Sequence, residues 1–149
     1  MYAFIDRPIV DLCNGSRFML WAMRAWRHAV EQRICPPRAL ASAFSHMSLL
    51  RMLPDFHMAM ALLNRDGLFE IVLAPMPHIH VVEHEAVLLA VWRDATSGRQ
   101  ERSRGTLALM VDEESIAPLE TAVSSAAAKL TAAGFDPPGL FDDVMKEMK

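Results

Sequence analysis

The densest group of potential metal ligands lies in residues 77–85, which hold three of the six histidines and two glutamates. Imidazole nitrogens bind Zn²⁺ at about 2.0 to 2.1 Å, and three or four ligands complete a site. His78 and His80 share a face only in an extended chain, whereas His80 and His84 share one only in a helix. A site built from all three therefore requires the chain to change from extended to helical near His80, and Pro77 is compatible with that change.

The motifs of known metal sites are incomplete here. His84 and Glu85 match the first half of the zincin motif H-E-x-x-H, but Leu88 stands where the second histidine would be. His78, His80 and Glu85 have a spacing that resembles the first cupin motif, which belongs to a β-barrel. We therefore expect these histidines to cap a helix or to lie in water, and we expect no cofactor.

No pattern frames a catalytic nucleophile. Ser45-His46 and the stretch 55–57 contain suitable residue types, but neither a G-x-S-x-G motif nor a cysteine signature surrounds them. The phosphate-binding patterns of the Walker A and G-x-G-x-x-G loops are also missing from the sequence. We predict no catalytic residue and expect a protein that is not an enzyme.

Basic and acidic residues are unevenly distributed along the chain. Residues 1–65 contain eight arginines, no lysine and four acidic residues, a net charge of +4, whereas residues 66–149 have a net charge of −7. No DNA-binding motif accompanies the arginines, and the acidic second half would repel a duplex. We expect no nucleic-acid partner, and we expect the opposite charges to pair within the fold or across a dimer. The arginines of the first helical pattern that could contact phosphates are Arg17, Arg24, Arg27 and Arg33.

Residues 6–33 have the pattern of one long helix, with Asp6 as a suitable cap. Its charged side chains fall largely within one stripe about 100° wide, and apolar residues fill most of the remaining circumference. A domain of this size cannot easily cover such a helix on every side, so a second copy is expected to cover part of it. We predict interface positions at Trp21, Met23 and Trp26.

The next part of the chain contains two helical patterns and a less helical stretch. From Arg38 onward apolar residues recur every three or four positions, which is helical spacing. Pro54 interrupts this pattern and predicts a kink, or a break followed by a helix over residues 55–64. Asp66 and the glycine after it end that helix. Residues 68–74 are predicted to be extended.

Two apolar runs, residues 86–92 and residues 107–111, cannot be assigned by periodicity. We predict a helix for the first run, because two glutamates precede it and Arg93 follows it, as the helix dipole favours. Residues 96–105 are predicted to form a polar loop. If both runs are strands instead, they form a long hairpin around that loop.

The last long helix is predicted to begin at the cap Ser115 and to end at Gly134. Residues 136–149 then form a short acidic amphipathic tail. We therefore predict a single domain over residues 1–149, mainly α, built as a compact bundle of five or six helices with a short irregular or β segment in the middle. The alternative is an α+β fold with a hairpin from residues 86–92 and 107–111.

The composition agrees with one globular domain. The 149 residues are 52% hydrophobic and 22% charged, and no apolar stretch approaches the roughly 20 residues that a membrane helix needs. The two cysteines, Cys13 and Cys35, cannot form a disulfide framework. Charged residues interrupt the N-terminal region where a signal peptide would need an apolar core. We expect no membrane partner and a cytoplasmic location.

The order of these patterns resembles a family of small, helix-rich bacterial proteins of unknown function. The resemblance rests on a helix rich in Trp, Met and Arg, a helical pair around Pro54, the run 71–75 and the run 85–89, and it covers about residues 15–133. Members of the family carry a cysteine-rich segment with proline after the Ala-Pro pair, where this chain has Met76-Pro77-His78. The resemblance implies a helical fold and no particular activity.

These observations favour a small cytoplasmic protein-interaction or regulatory module without catalytic activity. We expect a homo-oligomer or a complex with a protein partner, with self-association through the N-terminal helices. The alternative is a metal-binding protein or metal-dependent enzyme with zinc or iron held by His78, His80 and His84, and with Glu83 or Glu85 as a base or as a hydrogen-bond partner of a ligand.

Overall fold

The structure of the protein, a computed structural model, describes residues 4–134. This part of the chain contains six α-helices and no strand, so the predicted mainly α fold is confirmed. The helices are α1 (Asn14–Glu31), α2 (Pro36–His46), α3 (Leu53–Asp66), α4 (Glu83–Thr96), α5 (Gln100–Ala108) and α6 (Glu113–Ala132). Two short 3-10 turns cover Ile9–Asp11 and Leu50–Met52. The predicted tail, residues 136–149, lies outside the described residues.

Prolines and caps determine where several helices begin. Pro36 opens α2 and Pro54 lies in the first turn of α3, where the missing N–H of a proline has no helical partner to lose. The Asp112 carboxylate caps α6 by accepting a hydrogen bond from the Ser115 N–H at 3.1 Å. Ser115 is therefore inside the first turn instead of being the cap. Gly134 follows α6 with a φ of 90°, the left-handed conformation that the sequence predicts.

The first helix begins at Asn14 and not at Asp6. The chain before it lies beside residues 79–81, where the Asp6 N–H donates to the Val81 carbonyl and the Val81 N–H donates to the Arg7 carbonyl. These long-range backbone bonds take the place of the helical turn that the Asp-Pro pattern predicts. Local sequence patterns do not report such bonds, since the partner lies far away in the chain.

The predicted polar loop over residues 96–105 is wrong for most of its length. Only residues 97–99 are non-helical, and α5 follows at once from Gln100. The alternative hairpin is also wrong, because residues 86–92 lie inside α4 and residues 107–111 hold the end of α5 and a turn. Polar residues form α5 because it needs only a narrow buried side, provided by Ser103 and Leu107.

The core is organised around α4, whose residues from Leu88 to Ala95 are all buried. A row of aromatic rings connects four helices through this core: Phe18 of α1, Phe44 of α2, Phe56 of α3 and Trp92 of α4. Consecutive ring centroids are 5.1, 5.5 and 6.1 Å apart. Such pairs contribute about 0.5 to 1.5 kcal/mol beyond the burial of their area. None of the helices within residues 4–134 is both long and apolar enough to cross a membrane.

Residues 67–82 join α3 to α4 and are called the connecting segment. The part predicted to be extended, residues 68–74, lies here and forms no regular strand. Between residues 68 and 80 no side chain is fully buried, although Ile71 and Leu73 pack against the core. A chain with so little buried apolar surface requires another means of attachment, and polar contacts provide it.

Candidate interaction site around a buried ion pair

The connecting segment is attached to the helices through a buried ion pair. Arg24 of α1 and Glu85 of α4 form two hydrogen bonds, from Nε to Oε2 at 2.7 Å and from Nη2 to Oε1 at 2.9 Å. Their side chains are only 2% and 0% exposed. The two-bond geometry is the strongest way in which a guanidinium can pair with a carboxylate.

The Glu85 carboxylate also accepts two backbone N–H groups. The Val82 N–H donates to Oε1 at 3.0 Å, as in the first turn of many helices, and the Ala74 N–H donates to Oε2 at 3.0 Å. With the two bonds from Arg24, each carboxylate oxygen accepts two hydrogen bonds. No acceptor position of Glu85 is left to take up a proton or to bind a metal ion, so its predicted alternative role as a base is not supported.

Arg24 holds the connecting segment with its remaining donors. Its Nη1 donates to the His78 carbonyl at 2.6 Å, and its Nη2 donates to the His80 carbonyl at 2.9 Å. Together, Arg24 and Glu85 fix the segment at residues 74, 78 and 80. Four of the five N–H groups of a guanidinium are then used within residues 4–134, and one on Nη1 remains.

The three predicted metal ligands do not come together as one group. His84 Nδ1 accepts a hydrogen bond from the Val72 N–H at 2.7 Å, and its ring packs 5.2 Å from that of Phe69. The rings of His78 and His80 meet edge to face, with centroids 6.2 Å apart and planes inclined by 62°. Within residues 4–134 no group of three or more His, Cys, Asp or Glu side chains is arranged to hold a metal ion. His84 instead gives the connecting segment a further attachment.

The predicted interface residues of α1 are mostly covered by the chain itself. Met23 is 0% exposed and Trp26 is 3% exposed, while Trp21 is partly buried. The Trp26 Nε1–H donates to His57 Nδ1 at 3.0 Å, and burial lowers the pKa of the His57 imidazole, which keeps that nitrogen able to accept. Within this chain α2, α3, α4 and the connecting segment cover Met23 and Trp26, and their contact with a partner stays a prediction.

The arginines of α1 do not form a row for binding phosphates. Arg24 is buried in the ion pair. Arg17 donates from Nη2 to two backbone carbonyls before α1, at 3.0 and 3.1 Å. Arg27 donates to Glu31 at 3.3 Å and to Asn64 at 2.8 Å. Three of the four candidate phosphate ligands thus have intramolecular partners, and two of them, Arg24 and Arg27, pair with acidic side chains.

A cleft lies between α1 and the connecting segment. It consists of two cavities of about 370 and 170 Å³ that share Arg24 and Met76. The larger cavity is bordered by the last turns of α1 and by residues 73–77, and the smaller one is mainly apolar. The side chains lining the smaller cavity are Ile9, Arg17, Leu20, Trp21, Arg24 and Met76.

The connecting segment has one side with free backbone groups. The N–H groups of Val72 and Ala74 both donate to side chains of the first turn of α4. The N–H groups of the alternate residues, Ile71 and Leu73, donate to no group within residues 4–134. In an extended chain alternate N–H groups point to opposite sides, so Ile71 and Leu73 present their donors away from α4. We call residues 71–73 the free edge.

Large apolar side chains are exposed along the same connecting segment. Single exposed apolar residues are common on protein surfaces, but a series on one segment marks a candidate contact surface. A further exposed apolar residue, Leu109, follows α5 beside Met110, whose carbonyl accepts the Leu68 N–H. The exposed residues of the segment are Leu68, Phe69, Val72 and Ile79.

Comparison of the chain with protein-family models, with curated proteins and with solved structures gave no match. Its class is therefore described by the fold and the site alone. It is a small helical protein in which a buried Arg-Glu pair fixes a non-helical connection beside a cleft. The sequence prediction missed this pair, although an acidic residue just before an apolar run is a usual sign of a helix start and could have indicated Glu85.

Proposed function

We propose that this protein is a small, non-catalytic, cytoplasmic interaction module that binds a protein partner in the cleft between α1 and the connecting segment. The observation that carries the proposal is the free edge of the connecting segment, where the N–H groups of Ile71 and Leu73 have no acceptor within residues 4–134. An unpaired edge of extended chain is a template for pairing with another chain.

The chemistry of the cleft supports binding over catalysis. Its charged groups include Arg24, which is neutralised by Glu85, and Arg27, which pairs with Glu31. A catalytic acid or base needs access to the substrate and a proton that it can exchange. Glu85 has neither, because it is buried and its oxygens are fully engaged. The exposed apolar residues nearby favour a protein contact.

The proposed contact surface differs from the N-terminal helices that the sequence favours. Self-association through Trp21, Met23 and Trp26 would require two of these residues to leave the core. The cleft, in contrast, is open without any rearrangement. The protein partner is accordingly assigned to the cleft, and the homo-oligomer becomes one outcome of the test.

Selection from a random peptide library displayed on phage tests the proposal. The purified protein is the target, and the selected peptides are titrated against the wild type, Met76→Glu and the control Met58→Glu. Met76 lines both cavities, whereas Met58 is an exposed residue of α3 that lines neither. We expect binding that Met76→Glu abolishes and Met58→Glu preserves, with circular dichroism confirming that both variants fold.

Two results would refute the proposed function. One is a selection that enriches no binding peptide. The other is a set of peptides that bind Met76→Glu as tightly as the wild type. Sedimentation velocity on the peptide-free protein is run in parallel, and a dimer that Met76→Glu dissociates would identify a second copy of the chain as the partner in the cleft.

A further inference from the structure

We infer that the partner is an extended peptide segment which adds to the free edge as a strand and places an apolar side chain in the smaller cavity. This inference rests on the proposed function and specifies the conformation and chemistry of the partner. It commits to an uncharged, apolar stretch of peptide rather than to an anion or a nucleic acid.

The hydrogen-bonding groups of the free edge indicate an extended peptide. Neither the N–H nor the carbonyl of Ile71 and Leu73 takes part in a hydrogen bond within residues 4–134. Residues two apart on one strand present these groups to the same neighbour, so both can pair with one added chain. Pairing at residues 71 and 73 engages about 10 Å of an extended peptide.

The position of the free edge agrees with this binding mode. Ile71 and Leu73 pack with their side chains against the core, and Leu73 also borders the larger cavity. The opposite side of the same segment is already bonded to α4 through Val72 and Ala74. A peptide in the larger cavity would therefore lie beside Leu73 with α1 on its other side, and it would reach Ile71 over a narrow pocket of about 20 Å³ that both residues line.

Arg24 provides an additional donor at the floor of the cleft. The side chain is 2% exposed and borders both cavities, and one Nη1 N–H makes no hydrogen bond within the described residues. A buried N–H without an acceptor is costly, and a peptide carbonyl would satisfy it. Because the Arg24 charge is balanced by Glu85, a neutral carbonyl suits this donor.

The smaller cavity determines which side chain the peptide presents. Trp21, Leu20 and Ile9 form much of its wall, and Met76 lines both this cavity and the larger one. An apolar side chain with the volume of leucine or methionine fits the character of this lining, and Met76 can adapt to its shape. Trp21 is accordingly retained as a contact residue, in a different role from the one that the sequence predicts.

The charge of the cleft argues against an acidic or phosphorylated partner. Two of the three bordering arginines have acidic partners, Arg24 with Glu85 and Arg27 with Glu31, and Glu70 lies 3.6 Å from the Arg27 guanidinium. The third, Arg17 beside the smaller cavity, donates to two backbone carbonyls. His28 is the remaining basic group along the larger cavity. The balanced charges around the larger cavity give little electrostatic attraction to an anion there.

Amide hydrogen exchange with the tightest selected peptide tests the inference. The free protein is expected to show fast exchange at Ile71 and Leu73 and slow exchange at Val72 and Ala74. Addition of the peptide should slow Ile71 and Leu73. N-methylation of the alternate peptide N–H groups that face the free edge should weaken binding by about 10-fold or more. N-methylation of the other alternate set, which faces away from the edge, should leave binding nearly unchanged.

Trp21→Ala provides the corresponding test of the smaller cavity. We expect about 10-fold weaker binding of a peptide with a large apolar side chain, and a much smaller change for the same peptide with alanine at that position. The matched control is Trp26→Phe, because Trp26 borders neither of the two cavities of the cleft.

The outcomes separate this inference from the proposed function. Peptides that bind in a Met76-dependent way without protecting Ile71 and Leu73, or that tolerate N-methylation of either alternate set equally, overturn the strand pairing and leave the interaction module intact. A phosphopeptide that binds more tightly than its unphosphorylated form overturns the assignment of a neutral partner. The absence of any Met76-dependent binding removes the proposed function itself.

Discussion

The connecting segment and the interface between α3 and α6 are held by different physical means. The helices bury closely packed apolar side chains such as Phe56 of α3 and Leu119 of α6, both 0% exposed. The connecting segment has no fully buried side chain over residues 68–80 and is attached mainly by directional hydrogen bonds, among them those to Arg24 and Glu85. Apolar burial is spread over many contacts, whereas a buried ion pair concentrates its effect on two side chains.

The largest expected effect comes from breaking the ion pair on one side. Glu85→Gln leaves the buried Arg24 charge without its partner, and loss of one member of such a pair costs about 3 to 5 kcal/mol. We expect urea unfolding to show a loss of stability in this range. The control is Glu83→Gln in the same turn of α4, where the side chain is exposed and the change should stay within about 0.5 kcal/mol.

A second variant refines this prediction. Combining Arg24→Met with Glu85→Gln removes both charges, so the double variant should be more stable than the sum of the single effects predicts. Strict additivity, or a Glu85→Gln effect below about 1 kcal/mol, would mean that apolar packing and not the pair holds this side of the molecule.

A cavity created by mutation between α3 and α6 is expected to lower the stability somewhat less, and in a different way. Leu119→Ala should destabilise the protein by about 3 kcal/mol, because Leu119 is fully buried between the helices. The loss of stability should accelerate exchange of the amides throughout α3 and α6. The exchange that results from local opening of the connecting segment should keep its wild-type rate. Amide exchange measures both quantities in one experiment.

Thr121→Ala, on the exposed side of α6, serves as the control for the cavity. It should change the stability by less than about 0.5 kcal/mol. If Leu119→Ala increased local opening at Val72 and Ala74 as strongly as it destabilised α6, the two regions would form a single unit and the comparison between them would be wrong.

The smallest effect is expected where the two regions meet, at Asp66. Hydrogen bonds from Arg65 and from the Ser115 hydroxyl lower the pKa of the Asp66 carboxyl from 3.8 to about 2. The folded state therefore binds this proton less tightly than the unfolded state does. The stabilisation is complete above about pH 4 and is lost as the pH falls through about 2.

Unfolding curves of the wild type and Asp66→Asn between pH 2 and pH 6 measure this contribution. We expect the wild type to be more stable at the upper end and the difference to vanish toward pH 2. Ser115→Ala should reduce the difference, because it removes the 2.6 Å hydrogen bond to Asp66 Oδ2. A difference between wild type and Asp66→Asn that stays constant over this range would contradict the account.

Local patterns were sufficient for most of the helices. The positions of Pro36 and Pro54, the acidic residues in the first turn of α4 and the glycine after α6 all correspond to features of the structure. They work because capping and proline geometry act over one helical turn. The predicted start of α1 at Asp6 was wrong, because residues 6–9 form hydrogen bonds with residues 79–81 instead of a helical turn. Those partners lie about 70 residues away in the sequence, so a local pattern does not indicate them.

The candidate site was much less accessible to sequence reasoning. Arg24 and Glu85 are 61 residues apart, and each looks like a solvated residue of an amphipathic pattern. The histidines attracted attention through their types, but only the backbone path determines that His84 binds the Val72 N–H. The excess of apolar surface on α1 was real, and the sequence could not indicate that the chain covers it with its own helices and the connecting segment.

Hydrogen exchange at the Ala74 amide tests the central claim, that the buried Arg24–Glu85 pair fixes the connecting segment, most directly. The exchange rate is compared between the wild type and Arg24→Met, with Val123 of α6 reporting global unfolding in each protein. We predict that Ala74 is protected in the wild type and that Arg24→Met accelerates its exchange more than that of Val123. An unprotected Ala74 amide in the wild type, or an acceleration no greater than that of Val123, would contradict the account.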